Sequence, residues 1–247
     1  MNNSIIDINC DMGEGLSNEH LFMPYITSCN IACGGHAGTK ETMKKVVDMA
    51  IEYNVSIGAH PSYPDKENFG RKSMDISSYE LIDSIKEQVN LLNDIVESSG
   101  GSMNHIKPHG ALYNEVAEDM EQAHIFFEAI NDFKEYCELY ILSNSFAVTV
   151  ARQKNFRVKE EAFADRNYNN DLSLVSRVKE NAVLTDADCV LEHVKGILRG
   201  KVKTIDGNLV SINADTFCIH SDTKNAEHLV KTLYEKLINS GYSVSGI

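Results

Sequence analysis

The chain contains no tryptophan, only four prolines in 247 residues, and a shortage of cations, 23 Lys+Arg against 36 Asp+Glu. The resulting formal charge of −13 repels phosphodiesters and anionic headgroups, which argues against nucleic acid or a membrane surface as partner. No run of 18 apolar residues is present, so a transmembrane helix is excluded. Met1 to Asp7 has neither a basic start nor an apolar stretch and does not read as a secretory leader. Six scattered cysteines, mostly in apolar segments, predict buried free thiols in a reducing compartment, hence the cytoplasm. Cys29 and Cys33 lack a second downstream pair, so they read as small hydrophobes and not as a zinc site. Walker, G-x-G-x-x-G, G-x-S-x-G and H-E-x-x-H motifs are all missing. No Pro/Gly/Ser-rich linker or low-complexity tract divides the chain, and a single domain over residues 1–247 is expected.

What is present is an alternation of short apolar runs and longer amphipathic stretches, the pattern of an α/β protein. Parallel strands are predicted at 5–9, 28–32, 55–59, 105–108, 139–142, 158–164 and 216–220, about seven where a regular TIM barrel has eight. Thr39 caps a predicted helix through Met43, Val46, Val47, Ala50 and Ile51. Ser77 and Glu80 form a capping box for a second, which ends near Gly100. Helical stretches follow from about Leu112 to Phe133, around Phe146 to Gln153, after Thr185 to Asp188, and from Ala226 to Leu237. Asp206-Gly207 between two β-prone runs predicts an added β-hairpin near 203–212.

Polar residues gather where the predicted strands stop, which points to one composite site at the strand C-termini. Asp7, Asn9 and Asp11 share a face of the first strand by the two-residue period. Asp11, at its exit, is the functional candidate, while Asp7 and Asn9 read equally well as a structural network and Glu14 as a solvated loop residue. His36 follows Gly34-Gly35, where the backbone can turn sharply. His60 ends a strand, and Arg71 lies on a long loop suited to gripping a carboxylate or phosphate. Lys107-Pro-His109 presents a cation for phosphate or oxyanion and an imidazole for acid–base work. Asp165-Arg166 and His220-Ser-Asp222 each juxtapose opposite charges, so an ion pair competes with a catalytic reading. His105, His124, His193 and His228 read as ordinary core or surface histidines.

Seven segments together resemble the LamB/YcsF family: Asp7 to Gly15, Asn30 to Gly38, Ile57 to Asp65, Asn68 to Arg71, Lys107 to Asn114, Glu161 to Arg166 and Cys218 to Asp222. The resemblance spans nearly the whole chain in the family's order. It implies an irregular seven-stranded parallel β/α barrel related to polysaccharide deacetylases. It also implies the A component of a 5-oxoprolinase, which opens the lactam of 5-oxo-L-proline to L-glutamate with ATP and Mg2+, releasing ADP and phosphate, together with subunits B and C. Phosphorylating the lactam oxygen would create a leaving group. Asp11, Lys107, His109 and Asp165 are then the catalytic candidates, and Asn30, Arg71, Tyr113, Arg166 and His220 the substrate-binding ones. Gly35, Asn167 and Ser176 depart from the family pattern, where Phe, Gly and Pro are common, and bear on the pocket rim. Two other readings stay open: an ATP-independent, metal-dependent amide hydrolase with Asp11, His36 and His60 as ligands, and a non-catalytic substrate-binding subunit.

Overall fold

The computed structural model describes residues 5–223 and 225–245. Residues 1–4, most of the start read above as free of a leader, lie outside them. In chain order the elements are β1 (Ile5–Met12), α1 (Glu19–Phe22), β2 (Ser28–Ala32), α2 (Lys40–Glu52), β3 (Ser56–His60), α3 (Ser78–Ser98), β4 (Met103–Ile106), α4 (Gly110–Glu118), α5 (Met120–Ala129), β5 (Glu138–Leu142), α6 (Phe146–Gln153), β6 (Arg157–Phe163), α7 (Ala187–Leu198), β7 (Lys201–Lys203), β8 (Leu209–Ser211), β9 (Thr216–Cys218), α8 (Ala226–Asn239) and β10 (Ser243–Val244).

Among the described residues, β1 to β6 and β9 pair in parallel in that order, and β9 pairs back onto β1. Seven strands therefore close a β/α barrel, as the spacing predicts. An eighth, β10, lies beside the start of β1 through Ile5–Ser243 and Ile6–Val244. At two residues it is too short to leave a period in the sequence. The barrel is least regular around β4, which meets β5 only at His105–Glu138 and Ile106–Leu139 and slips against β3 between Ile57 and Gly58. Gly58 adjoins the slip, and a Cβ there would lie 2.1 Å from His105 Nε2. Glycine there makes room for an imidazole inside the lumen.

Local signals set the helix ends. Thr39 accepts from Thr42 N–H, and the Ser77/Glu80 capping box is present in both directions. The helical stretch expected from 112 to 133 divides at Asp119, whose extended backbone ends α4 while its side chain accepts from Gln122 N–H and caps α5. The hairpin occupies 201–211, with β7 and β8 antiparallel about Asp206-Gly207, and it packs on α7. No described helix is long and apolar enough to cross a membrane.

Strand alternation divides the interior in two. Ile6, Ile8 and Cys10 of β1 turn outward into the hydrophobic layer beneath the helices, with Ile57, Leu139, Ala162 and Phe217 from other strands. The lumen is polar along its length, which departs from the expectation that ionisable groups sit mainly where strands stop. Near the strand N-termini, Asp7 accepts from Thr27, Ser28 and Tyr140, and Lys159 Nζ lies 3.7 Å from Asp7 and 3.2 Å from Glu138. Higher up, Asn9 donates to Glu161 and to Thr216, and accepts from Asn30, whose own carbonyl receives His105 Nε2–H at 2.8 Å. Buried charge is tolerable only when each group finds a partner, and this ladder supplies one at every level. Asp7 and Asn9 are thus network residues.

Candidate active site

The network rises to Lys107. Its Nζ lies 3.0 Å from Asp11 Oδ1, 2.9 Å from Glu161 Oε1, 3.2 Å from Cys218 Sγ and 3.4 Å from Asn9 Oδ1. Burial alone would lower its pKa, but Asp11, Cys218 and Glu161 outweigh burial and hold it well above the ordinary lysine value. Lys107 is therefore a fixed cation at neutral pH. An ammonium has three N–H donors, and the acceptors around it already use them, so Lys107 acts on its neighbours. Asp11 receives the benefit: burial raises its carboxyl, yet His60 and Lys107 bring it well below the usual range. Asn30 pins Asp11 Oδ1 at 2.8 Å, while Oδ2 faces His60 Nε2 at 3.4 Å.

Beside Asp11 stands a cluster of Glu14, His36, His60 and His109, whose ligating atoms all lie within 4.8 Å of one another. The loop after β1 brings Glu14, the glycine-rich turn after β2 brings His36, β3 ends on His60, and His109 stands at the head of α4. His36 and His109 stack with ring centroids 3.7 Å apart. Hydrogen bonds fix two tautomers. His60 Nδ1 meets the Lys107 carbonyl at 2.8 Å and His109 Nε2 meets the Phe69 carbonyl at 3.0 Å; a carbonyl only accepts, so each of these nitrogens carries the proton. The remaining lone pair, on His109 Nδ1, then faces His60 Nε2 at 2.9 Å. Burial, reinforced by His60, pushes both His36 and His109 down to about 3, so neither is an imidazolium at neutral pH. Glu14 moves upward because of burial and Asp11. Converging imidazole nitrogens, a carboxylate 3.1 Å from His36 Nε2 and a buried His36 Nδ1 without a partner among the described residues suit a divalent cation.

Across the cavity, Asp165 grips His220. Its Oδ1 lies 2.8 Å from His220 Nδ1, and Oδ2 accepts from the backbone N–H of His220 and the hydroxyl of Thr223. Burial works against ionisation of Asp165, but His220 and these hydrogen bonds hold its carboxyl below the ordinary value. The charged Asp165 fixes His220 as the Nδ1–H tautomer. His220 stacks on Phe163 and lines the cavity, and its Nε2 has no hydrogen-bond partner among the described residues. The cavity measures about 590 Å3 and is bounded by Asp11, Glu14, His60, Lys107, His109 and His220, with Arg71, Tyr113, Arg166, Arg177 and Asp222 around them.

The sequence profile of the LamB/YcsF family matches residues 6–247. The chain belongs to the LamB/YcsF family. Among curated relatives it is 38% identical over 246 residues to the 5-oxoprolinase A subunit of Bacillus thuringiensis subsp. konkukian, an alignment covering 97% of each chain. Among solved structures it is similar to the lactam utilization protein of Thermus thermophilus, with a TM-score of 0.92 and 31% identity over 98% of this chain and 100% of that one. The peptidoglycan deacetylase PdaC of Bacillus subtilis shares the fold alone, at TM-score 0.50 and 12% identity over 100% of this chain and 89% of that one.

Within this LamB/YcsF barrel, Asp11, Arg71, Lys107, His109, Tyr113, Arg166 and His220 line one cavity. Asn30 and Asp165 are fully buried and hydrogen-bond to Asp11 and His220. The expected ligand trio Asp11, His36 and His60 is altered: Glu14 and His109 complete the close group, and Asp11 borders it. Glu14, read from sequence as a solvated loop residue, is nearly buried because the Gly13 and Gly15 turns fold it back onto the histidines. The local ion pairs weighed against a catalytic reading do not form among the described residues. Asp165 pairs with His220 rather than Arg166, and Asp222 with Arg71 and Arg177 rather than His220. Glu161 and Cys218, which complete the Lys107 shell, were visible only as members of family segments. Cys29 and Cys33 are buried outside the metal-like group.

Proposed function

We propose that this chain is the A component of a 5-oxoprolinase, opening the lactam of 5-oxo-L-proline to L-glutamate with ATP hydrolysed to ADP and phosphate. One observation carries the reading: a fixed lysine–carboxylate pair, a carboxylate–imidazole group and an Asp–His dyad face a single cavity. Attack on an amide needs a polarised carbonyl, an ordered nucleophile and a proton for the departing nitrogen, and these groups answer to those needs. The names of the relatives narrow the amide to a lactam. ATP with Mg2+ and partner subunits B and C complete the enzyme; the charge of −13 and the missing Walker loop support placing the nucleotide on the partners. The chain works as one domain, supported by a hydrophobic cluster that runs from Ile6 to Leu237. The buried free thiols support a cytoplasmic setting.

Glu14, His36, His60 and His109 would hold a divalent cation, which when bound polarises a carbonyl oxygen or acidifies water. Asp11, ionised and pinned through Oδ1, turns Oδ2 toward that group and orients the incoming water. Its depressed pKa makes it a weak proton store, so the proton passes instead at His220 Nε2, with Asp165 holding the ring. Lys107 keeps Asp11 charged and in place, and Arg71 and Arg166 face the substrate.

Glutamate and ADP should form from 5-oxoproline and Mg-ATP when the chain is mixed with its B and C partners, and not with the chain alone. Glutamate formed without ATP would favour the metal-dependent hydrolase instead, and unchanged turnover on substitution of His220 would favour a purely binding role. Metal occupancy has its own readout. Zn2+ or Mn2+ at a hundredfold excess over its dissociation constant should stabilise the wild type by about 2.7 kcal/mol, seen as a rise in Tm. The rise should vanish in His60→Ala/His109→Ala, and a wild type whose Tm ignores both metals would remove the cation from this site.

A further inference from the structure

An arginine–aspartate–arginine bridge crosses the cavity mouth, and the chemistry above gives no role to its Asp222 or Arg177. Asp222 accepts from Arg71 Nη2 at 2.9 Å and from Arg177 Nη1 at 3.1 and 3.2 Å. The three side chains come from three different loops: Arg71 precedes α3, Arg177 lies between β6 and α7, and Asp222 follows β9. Arg166 stands beside them, only 6% exposed. It donates Nη2 to the Val175 carbonyl, while its Nε is buried without a partner among the described residues. Burial and the charge of Arg177 lower its pKa, and the two guanidinium groups line the same cavity. Three guanidinium groups thus gather near a single carboxylate on the lining of one cavity, in a protein of net charge −13. So much cationic charge gathered around one partly buried carboxylate is more than that carboxylate requires.

The bridge is easily opened. Arg71 and Arg177 side chains are 52% and 37% exposed, and ion pairs in such settings contribute little to stability. Burial would raise the Asp222 carboxyl, but Arg177, His220 and the bonds from both arginines hold it ionised. It therefore presents to the arginines the same planar, two-oxygen anion that a small carboxylic acid would bring.

We infer that Asp222 is an internal stand-in for the substrate's carboxylate: an incoming carboxylate takes its place on Arg177 and Arg71, gains Arg166 as a further donor, and displaces Asp222 from the mouth. Only the identity of that acid, 5-oxoproline, rests on the function proposed above. Two consequences separate this arrangement from a scaffold. The arginines govern affinity for anionic ligands alone. Asp222 competes with the ligand, so the apparent affinity is reduced by the fraction of time the arginines are free of it.

Binding to the full chain, followed by calorimetry or NMR titration, tests both with 5-oxo-L-proline, the neutral lactam 2-pyrrolidinone, acetate and inorganic phosphate as probes. Arg177→Met should weaken 5-oxoproline at least about tenfold, and Asp222→Asn should tighten it about threefold to tenfold, the gain expected from removing a resident competitor. Affinity for 2-pyrrolidinone should stay within about twofold in both, with melting curves to establish that each variant is folded. Asp222→Asn weakening 5-oxoproline as Arg177→Met does would make Asp222 a mere scaffold and overturn the inference. So would phosphate outcompeting every carboxylate, equal binding of the charged and neutral lactams, or no carboxylate binding to either wild type or Asp222→Asn. Acetate following the expected mutational pattern while 5-oxoproline binds no better than acetate would leave the carboxylate site standing and remove the lactam reading.

Discussion

Replacing Lys107 by methionine is expected to destabilise the barrel by about 3–5 kcal/mol, the usual consequence of removing one partner from a buried ion pair, and to stop turnover. Methionine matches the length of the lysine stem but leaves Asp11 and Glu161, both packed against Nζ at 3.0 and 2.9 Å, facing each other without the cation. The pH dependence identifies the cause. In the wild type, Lys107 has a folded pKa above 10.5, so its contribution is complete below that value and is lost only as pH rises through the folded one. Asp11 is held below 3.8, so its contribution is present above 3.8 and is lost as pH falls through its folded value. Between pH 5 and 9 the pair gives wild-type stability no slope. Without the lysine, Asp11 loses a main source of its depression and costs more to keep ionised, so the deficit should be smaller near pH 4 than at neutrality. Urea unfolding at pH 4.5 and 7.5 measures it. A methionine variant as stable as wild type at both values would mean that Lys107 is not the centre of this network. Activity loss at Lys107 is thus a loss of architecture around Asp11, and Lys107→Arg, which keeps the charge, should retain more stability than Lys107→Met.

The strands and their order were readable because each has its own apolar run and a break after it, and the helix ends because Thr39, Ser77 and Glu80 carry their own caps. The division at Asp119 was obscured by apolar residues on both sides that kept a helical period across it. The site was legible as a set of strand-end positions but not as partnerships. Local pairing set Asp165 beside Arg166, yet β6 ends at Phe163 and the chain turns at Ala164 and Asp165. Asp165 therefore finds His220, 55 residues away. Glu14 was hidden for a related reason: in sequence it sits in a Gly-rich loop, where an acid is ordinarily solvated, and only the return of the loop over β3 and α4 buries it against three histidines. The polar lumen was the least legible feature, because Ser28, Tyr140 and Thr216 look ordinary until the barrel closes and places them opposite Asp7 and Asn9.

The Asp165–His220 dyad should account for a loss of about 10²–10⁴ in kcat when either member is removed, the range typical of a positioned acid–base group. His220→Gln keeps a polar side chain at the cavity wall but cannot carry a proton. Asp165→Asn keeps the shape while its amide no longer demands a donor at His220 Nδ1, so the ring can adopt the tautomer that turns its proton toward the cavity. Because Asp165 is fully buried and touches the cavity only through His220, its effect on rate should pass through that ring. The two losses should not multiply: once His220 is glutamine, Asp165→Asn should lower kcat by no more than about twofold further. KM for the lactam should be little changed in each variant, because the arginines at the mouth are untouched. A purely structural Asp165 would behave differently, lowering the amount of folded enzyme by the same factor in either background and leaving kcat per folded molecule intact. Asp165 also contributes stability of its own, present above 3.8 and lost as pH falls through its depressed folded value. The double-mutant cycle on kcat, normalised to folded protein and run at pH 7.5, keeps the two roles apart. Multiplicative losses there would dissolve the dyad into two independent residues.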